Sequence, residues 1–220
     1  MRTIRVTGRG QIRVRPDMTR ITMTLTGLCG AYGDALRRSS EDTDAVKDIL
    51  AGLGFGRTDL KTLDFSVDAE YERISDRGTY RQKFLGYRYR HRTKIEFLSD
   101  NERLGRILGA LAKSPADPEF RISYTVSDPE KARNELLGRA VADSKEKAKT
   151  LTAASGVGLK DVQSIDYSWG QIDLEVRPLN CLSPGSRYDL CDAEMESVSM
   201  DFEPDDIAVS DTVTVVWEIG

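Results

Sequence analysis

Residues 54–66 read GFGRTDLKTLDFS and residues 156–168 read GVGLKDVQSIDYS, and the two stretches align at an offset of 102. Gly54, Gly56, Asp59, Asp64 and Ser66 fall on Gly156, Gly158, Asp161, Asp166 and Ser168. The apolar positions follow suit, with Leu60, Leu63 and Phe65 on Val162, Ile165 and Tyr167. Upstream, RITMTLT (20–26) meets RISYTVS (121–127) at an offset of 101, so a one-residue slip falls within the intervening segments. A chain that repeats at this period carries the same supersecondary unit twice.

The periodicities on either side define that unit. Strand alternation puts Ile4, Val6, Gly8, Gly10, Ile12 and Val14 on one face of a leading strand, then Ile21, Met23 and Leu25 on a second. It recurs at Leu63, Phe65, Val67, Ala69 and Tyr71, at Phe120, Ile122, Tyr124 and Val126, and at Ile207, Val209, Val213, Val215 and Trp217. Each set is expected to face a core. Helical spacing governs 34–53 (Ala35, Ala45, Val46, Ile49, Leu50, Leu53), 100–113 (Leu104, Ile107, Leu108, Leu111) and 129–155 (Ala132, Leu136, Leu137, Ala140, Val141, Ala148, Leu151). Ser99 with Glu102 has capping-box spacing, and Asp128 before Pro129 suits the start of the third helix. The glycine pairs 54/56 and 156/158 follow helices and read as C-terminal caps, not phosphate cradles.

The expected fold class is therefore α+β: two β-α-β-β repeats plus a leading strand, with mixed or antiparallel sheets packed on long helices. In sequence the division is 1–98 for the leading strand and first unit, 99–117 for a joining helix, and 118–220 for the second unit. The first unit closes with a hairpin over about 60–98, turning at Asp76-Arg77-Gly78. Its first arm, about 60–75, reaches roughly 50 Å at strand rise, whereas its helix spans roughly 30 Å. Part of the hairpin must project. In the second unit the same connection becomes an insert over 178–206, rich in Pro, Ser and Asp.

Charge separates the two excursions. Residues 73–94 hold eight Arg or Lys and one Asp, while 178–206 hold eight Asp or Glu and one Arg. The chain of 220 residues carries a formal charge of only −4, so the totals conceal this polarity. Opposed blocks steer association and set register. The stretch RYRHR (88–92) alternates cations with aromatics, putting Tyr87, Tyr89 and His91 on one strand face and Arg88, Arg90, Arg92 and Lys94 on the other. Such a strand could stack single-stranded nucleic acid, but the acidic chain as a whole makes nucleic acid an unexpected partner.

Other chemistry is restricted by composition. The only histidine is His91, which excludes His-paired metal sites and any serine or cysteine triad built elsewhere. Three cysteines, Cys29, Cys181 and Cys191, are too few for a disulfide framework and read as reduced thiols, with a Cys181–Cys191 clip as the alternative. Asp64 and Asp166, equivalent in the repeat, could serve acid–base work or hold a cation, though the polar strand face accounts for them structurally. The acid run 201–206 lacks calcium-loop spacing. No catalytic constellation, metal site or cofactor site is legible, and no apolar run is long enough to span a bilayer.

The assembled pattern resembles the SIMPL-domain family. The opening V-x-G-x-G-x-I-x-V-x-P-D (Val6 to Asp17), the middle G-x-x-x-x-D-L-K-T-x-x-F-S-V (54–67) with Gly86-Tyr87, the helix segment 127–156 and the closing E-P-D-D-I-A-V-S-D-T-V-T-V-V-W (203–217) match its motifs in order. The family commonly has Pro-Gly before its last strand, where this chain has Pro204-Asp205. The resemblance implies an α+β fold, assembly into rings or larger oligomers through long hairpins, an envelope or periplasmic setting for most members, and some association with stress tolerance. It supplies no catalytic residues. The expectation is a non-enzymatic protein that self-assembles, with Arg81, Arg88, Tyr89, Arg90 and Arg92 of one subunit engaging Glu194, Glu196, Asp201 and Glu203 of another. The alternative is a ligand or nucleic-acid binding module using strand 87–94. With no signal peptide at Met1 the expected compartment is the cytoplasm, or the periplasm if the chain is a processed form.

Overall fold

The computed structural model describes residues 2–76, 79–167, 174–176 and 202–220. Its elements run β1 (Arg2–Val14), β2 (Met18–Cys29), α1 (Tyr32–Gly52), β3 (Lys61–Asp76), β4 (Thr79–Leu98), α2 (Asn101–Ala112), β5 (Glu119–Thr125), α3 (Pro129–Ala154), β6 (Leu159–Asp166), β7 (Glu175–Val176) and β8 (Ile207–Ile219). This is the expected α+β class. The strands form two sheets, β1-β8-β6 and β3-β4-β2-β5-β7. Among the described residues the chain divides in space into 18–123 with 202–203, and 2–17 with 124–167, 174–176 and 204–220.

In the first of these units, β4 lies between β2 and β3 and is antiparallel to both. Ile21, Met23, Leu25, Ile95 and Phe97 of the sheet meet Val46 and Leu50 of α1 and Leu104, Ile107 and Leu111 of α2 in one core. The alternation of β2 is thus satisfied. That of β3 is not: Leu63, Phe65 and Tyr71 are all exposed. β3 is the edge strand, paired on one side only, and of its apolar set Val67 packs against the core while these three stay exposed. The N-cap of α2 also differs by one residue from the capping-box spacing. Asp100 accepts from the Arg103 N–H at 3.0 Å, while the Ser99 hydroxyl is shared with Thr19 at 3.0 Å.

In the second unit α3 covers β1 and β8. Val6, Val213, Val215 and Trp217 pack on Ala140 and Ala148, and Ile12 and Ile207 pack with Ala132 and Leu136. The buried face of α3 is Ala132, Leu136, Ala140, Ser144, Ala148 and Thr152, a stripe at four-residue spacing made mostly of small residues. Leu151, expected on that stripe, is exposed; the buried Thr152 satisfies its hydroxyl on the Ala148 carbonyl at 2.9 Å. Small residues are needed because the strand backbone comes very close. A Cβ on Gly8 would lie 1.9 Å from the Ala140 carbonyl oxygen, and one on Gly10 2.1 Å from that of Leu136. The two glycines are there for close backbone approach.

The repeat is legible in the caps. Gly54 and Gly156 have φ of 83° and 67°, and the following Phe55 and Val157 N–H groups donate to the carbonyls of Leu50 and Thr152. Both helices end in the same Schellman-type turn. Gly56 and Gly158 are not caps: the first donates its N–H to Asp59 at 2.8 Å, the second pairs its backbone with Gly220. The strand orders show one exchange. The first repeat gives β3-β4-β2; its counterpart would be β6-β8-β5, but β1 takes the place beside β8 and β5 follows β2 in the other sheet. The leading strand therefore completes the sheet built from the second repeat.

Candidate functional site

The hairpin β3–β4 carries the residues singled out by charge. Its arms pair from Lys61↔Lys94 out to Asp76↔Thr79, with the ladder shifting register at Leu63 on β3 and Leu85 on β4. Gly86, beside the second bulge, has φ of 143°, and a Cβ there would lie 2.4 Å from the Cys29 carbonyl oxygen. Past this point the ribbon is exposed on both faces: Tyr71, Phe84, Leu85 and Tyr80, the last 72% exposed. This is the projecting part of the hairpin.

The bulge re-registers the side chains. Simple alternation would set Arg81 and Arg88 on opposite faces. The observed register pairs Arg81 with Ile74 and Lys83 with Glu72, on the Glu70 and Asp68 side of β3, so Arg81, Lys83, Arg88, Arg90, Arg92 and Lys94 share one face. Phe84 correspondingly joins Tyr87 on the other, their ring centroids 5.3 Å apart, with Tyr71 on Phe84 and Tyr32 on Tyr87.

The cationic face is not a bare block. β3 sets Asp64 opposite Arg92 and Asp68 opposite Arg88. The Arg88 Nε donates to Glu70, a hydrogen bond that holds the Glu70 carboxyl below its ordinary range. Lys94 lies 3.0 Å from Glu96, which also accepts from Arg20 at 2.6 Å. Arg81, Arg90 and Arg92 form no ion pair among the described residues. Ser66, Asp68, Ala69, Glu70, Arg88 and Arg90 line a shallow open concavity here. On the partner side of the expectation, Glu203 is exposed, while Glu194, Glu196 and Asp201, with Cys181 and Cys191, lie outside the described residues.

At Tyr87, Tyr89 and His91 the aromatic face lies against α1, whereas Tyr71 and Phe84 further out are exposed. Tyr89 is 1% exposed. Its hydroxyl donates to the buried Asp42 carboxylate, which also accepts from Arg38 Nε at 3.1 and 3.2 Å. Burial first, and the bond to Asp42 second, push the Tyr89 phenol above its ordinary value. Gly27 makes room, since a Cβ there would lie 2.5 Å from the Tyr89 ring. Tyr89 is thus a core residue and offers no face on which a base could stack.

His91 bridges helix and hairpin. Its Nδ1 is 2.9 Å from the Thr43 hydroxyl on α1 and its Nε2 2.9 Å from the Thr62 hydroxyl on β3. The Phe65 ring meets it edge-on at 5.4 Å. Burial, then the Lys47 charge, hold its pKa below the ordinary 6.5. The sequence pattern does not single out Asp42, Thr43 and Thr62, because polar residues on a helical stripe or a strand look like solvent-facing interruptions until their partners are known. The repeat-related Asp64 and Asp166 are both exposed on edge strands, β3 and β6.

An α+β chain with an internal repeat, a long hairpin and a leading strand that completes the second sheet is the class of protein defined here. The sequence profile of SIMPL, described as a protein of unknown function (DUF541), matches residues 4–217, and the chain belongs to that family. It is also similar to the 26 kDa periplasmic immunogenic proteins of Brucella melitensis biotype 1 and Brucella abortus strain S19, with 26% identity over 163 residues in each case. The match covers 74% of this chain and 65% of those proteins, so the matched stretch spans less than two thirds of their length. No helix among the described residues is long and apolar enough to cross a membrane.

Proposed function

We propose that this protein is a self-assembling component of the bacterial cell envelope, with the β3–β4 hairpin as its docking element. The observation that carries this reading is the division of labour on the cationic face. Arg88 and Lys94 are held by acids of their own sheet, whereas Arg81, Arg90 and Arg92 are without an ion pair among the described residues. Three guanidiniums on one face of the hairpin are a sticky surface for a carboxylate-rich segment, and the stretch 189–206 of another copy has that composition. The periplasm is the proposed compartment, since the named Brucella relatives are periplasmic proteins.

Solution mass by light scattering, at ~50 mM and ~500 mM salt, tests the reading because screening of exposed charges differs strongly between the two. A multimer at low salt that falls to 24.5 kDa at high salt is expected. The triple variant Arg81→Glu/Arg90→Glu/Arg92→Glu should be monomeric at both. A wild-type monomer throughout, or a multimer indifferent to the triple reversal, overturns it. Binding through strand 87–94 as a ligand module would then rest on the outward arginines alone, with Tyr89 enclosed.

A further inference from the structure

The sequence restricts histidine-assisted chemistry to one position, and the structure places two hydroxyls on that imidazole. Their roles follow from counting hydrogens. The Thr43 hydroxyl donates its one proton to the Ser39 carbonyl at 2.7 Å. Toward His91, 2.9 Å away, it can therefore only accept, so Nδ1 carries the ring proton. The lone pair is left on Nε2, aimed at the Thr62 hydroxyl at 2.9 Å. Thr62 donates into it. A hydroxyl bonded to an imidazole whose far nitrogen is fixed by a third group is the geometry of an activated nucleophile.

The surroundings allow an electrophile to reach it. Thr62 is exposed and stands on the edge strand of its sheet, next to the bulge at Leu63, a distortion that re-aims side chains and recurs beside reactive sites. Phe65, 43% exposed and edge-on to His91, gives an apolar wall. The groups facing the imidazole are Thr43 and Lys47 from α1 and Thr62 and Phe65 from β3. Among the described residues no carboxylate contacts the ring, and burial with the Lys47 charge favours its unprotonated form, which can accept a proton at Nε2.

We propose that Thr62 is a reactive hydroxyl that accepts an acyl group from activated carboxylic esters, with His91 as general base and Thr43 as a positioning residue. Thr62 Oγ1 attacks the acyl carbon and forms the new C–O bond while His91 Nε2 takes the hydroxyl proton. The bond from carbon to the leaving alcohol breaks, and His91 returns that proton to the departing oxygen. The product is one ester on Thr62 and one free alcohol, with no redox change and no co-reactant. This reading is independent of the assembly role.

The probe is p-nitrophenyl acetate on the full chain, followed by intact mass and peptide mapping. One acetyl per chain on Thr62 is expected, at a rate that rises with pH through the ionisation of His91 below 6.5 and then levels. Thr62→Val should remove that label. His91→Asn should slow it by about a hundredfold, the range of a general base. Thr43→Val frees Nδ1 from its partner, and should move the inflection of the pH–rate profile as well as the rate. Acetyl groups found only on lysines or the amino terminus overturn the proposal, as does equal Thr62 labelling in His91→Asn. Nitrogen NMR of His91 in the wild-type protein gives a reading that no folding defect can mimic: an Nδ1–H tautomer is expected, and an Nε2–H tautomer overturns the proposal.

Discussion

At Gly8 and Gly10 a hydrogen in place of a methyl group decides whether strand and helix can touch. Both lie in β1 with α3 carbonyl oxygens about 2 Å from where a Cβ would stand, at 1.9 and 2.1 Å. Backbone cannot yield as a flexible side chain would, so Gly10→Ala must push α3 away from the sheet and open the contacts of Leu136 and Ile12. Overpacking of this kind costs roughly 1–3 kcal/mol. Gly138 is the control: it sits within α3 with nothing inside 4 Å of where its methyl group would stand, and Gly138→Ala should stabilise by roughly 0.5–1 kcal/mol through helix propensity. Urea midpoints moving in opposite directions for the two variants are the expected result. Equal, small shifts would mean that strand and helix are not in such close contact. The same scale explains what a one-dimensional reading misses at Asp42 and Thr43. A carboxylate and a hydroxyl on the inner face of α1 become reasonable only once Tyr89 and His91 arrive from β4 to meet them.

At the scale of elements, capping is where a one-residue difference has consequences. The spacing Ser99-x-x-Glu102 is sound as a pattern, yet Asp100 is the stronger acceptor and sits where its carboxylate reaches the Arg103 N–H. Asp100→Ala should therefore cost about 1 kcal/mol and lower the thermal midpoint, with Asp100→Asn retaining most of the stability because Asn also caps well. If Asp100→Ala is silent, the helix starts elsewhere. Helix spans and strand spans were legible because their periods, 3.6 and 2, are imposed by backbone geometry and repeated twice. Burial along β3 was not, since alternation announces two different faces without saying whether a helix covers either. The bulge at Leu85 is equally silent in the pattern, although Gly86 beside it was the available signal. It turns Arg81 onto the face of Arg88, and a count of charge over 73–94 could not foresee the acids that β3 lays beside them. The exchange of β1 for β5 beside β8 was hidden for another reason: strand alternation says which residues share a face and does not name the neighbouring strand.

For the whole molecule, the perturbed groups bend stability downward at both ends of the pH scale. His91 has a folded pKa below 6.5, from burial and then Lys47. As pH falls through that window the unfolded chain takes up the proton first, so stability declines. A second acid stage comes from carboxylates. Glu70 is held below 4.5 by the Arg88 bond, and Asp143 below 3.8 by Lys147 and then the Arg9 N–H. For Glu96, burial pulls upward, but the bonds from Lys94 and Arg20 outweigh it and keep the group below 4.5. Their stabilisation is present above the unfolded values and is lost as pH falls through the folded ones. The alkaline limb has the opposite origin. Tyr89, buried and donating to Asp42, is raised above 10.0, so beyond that value the unfolded chain gives up its proton first and stability falls again. Thermal midpoints measured from about pH 2 to about pH 11 should trace a plateau near neutrality with these two limbs. His91→Asn lowers the plateau by removing its two hydroxyl bonds, but its distinguishing effect is a flatter profile between about pH 7 and 5. Tyr89→Phe should make the alkaline limb shallower, Tyr124 and Tyr167 being raised as well, and leave the acid one unchanged. A wild-type curve with no slope between about pH 7 and 5, or a His91→Asn curve parallel to it there, would remove His91 from the buried, neutral role on which its bonds to Thr43 and Thr62 depend.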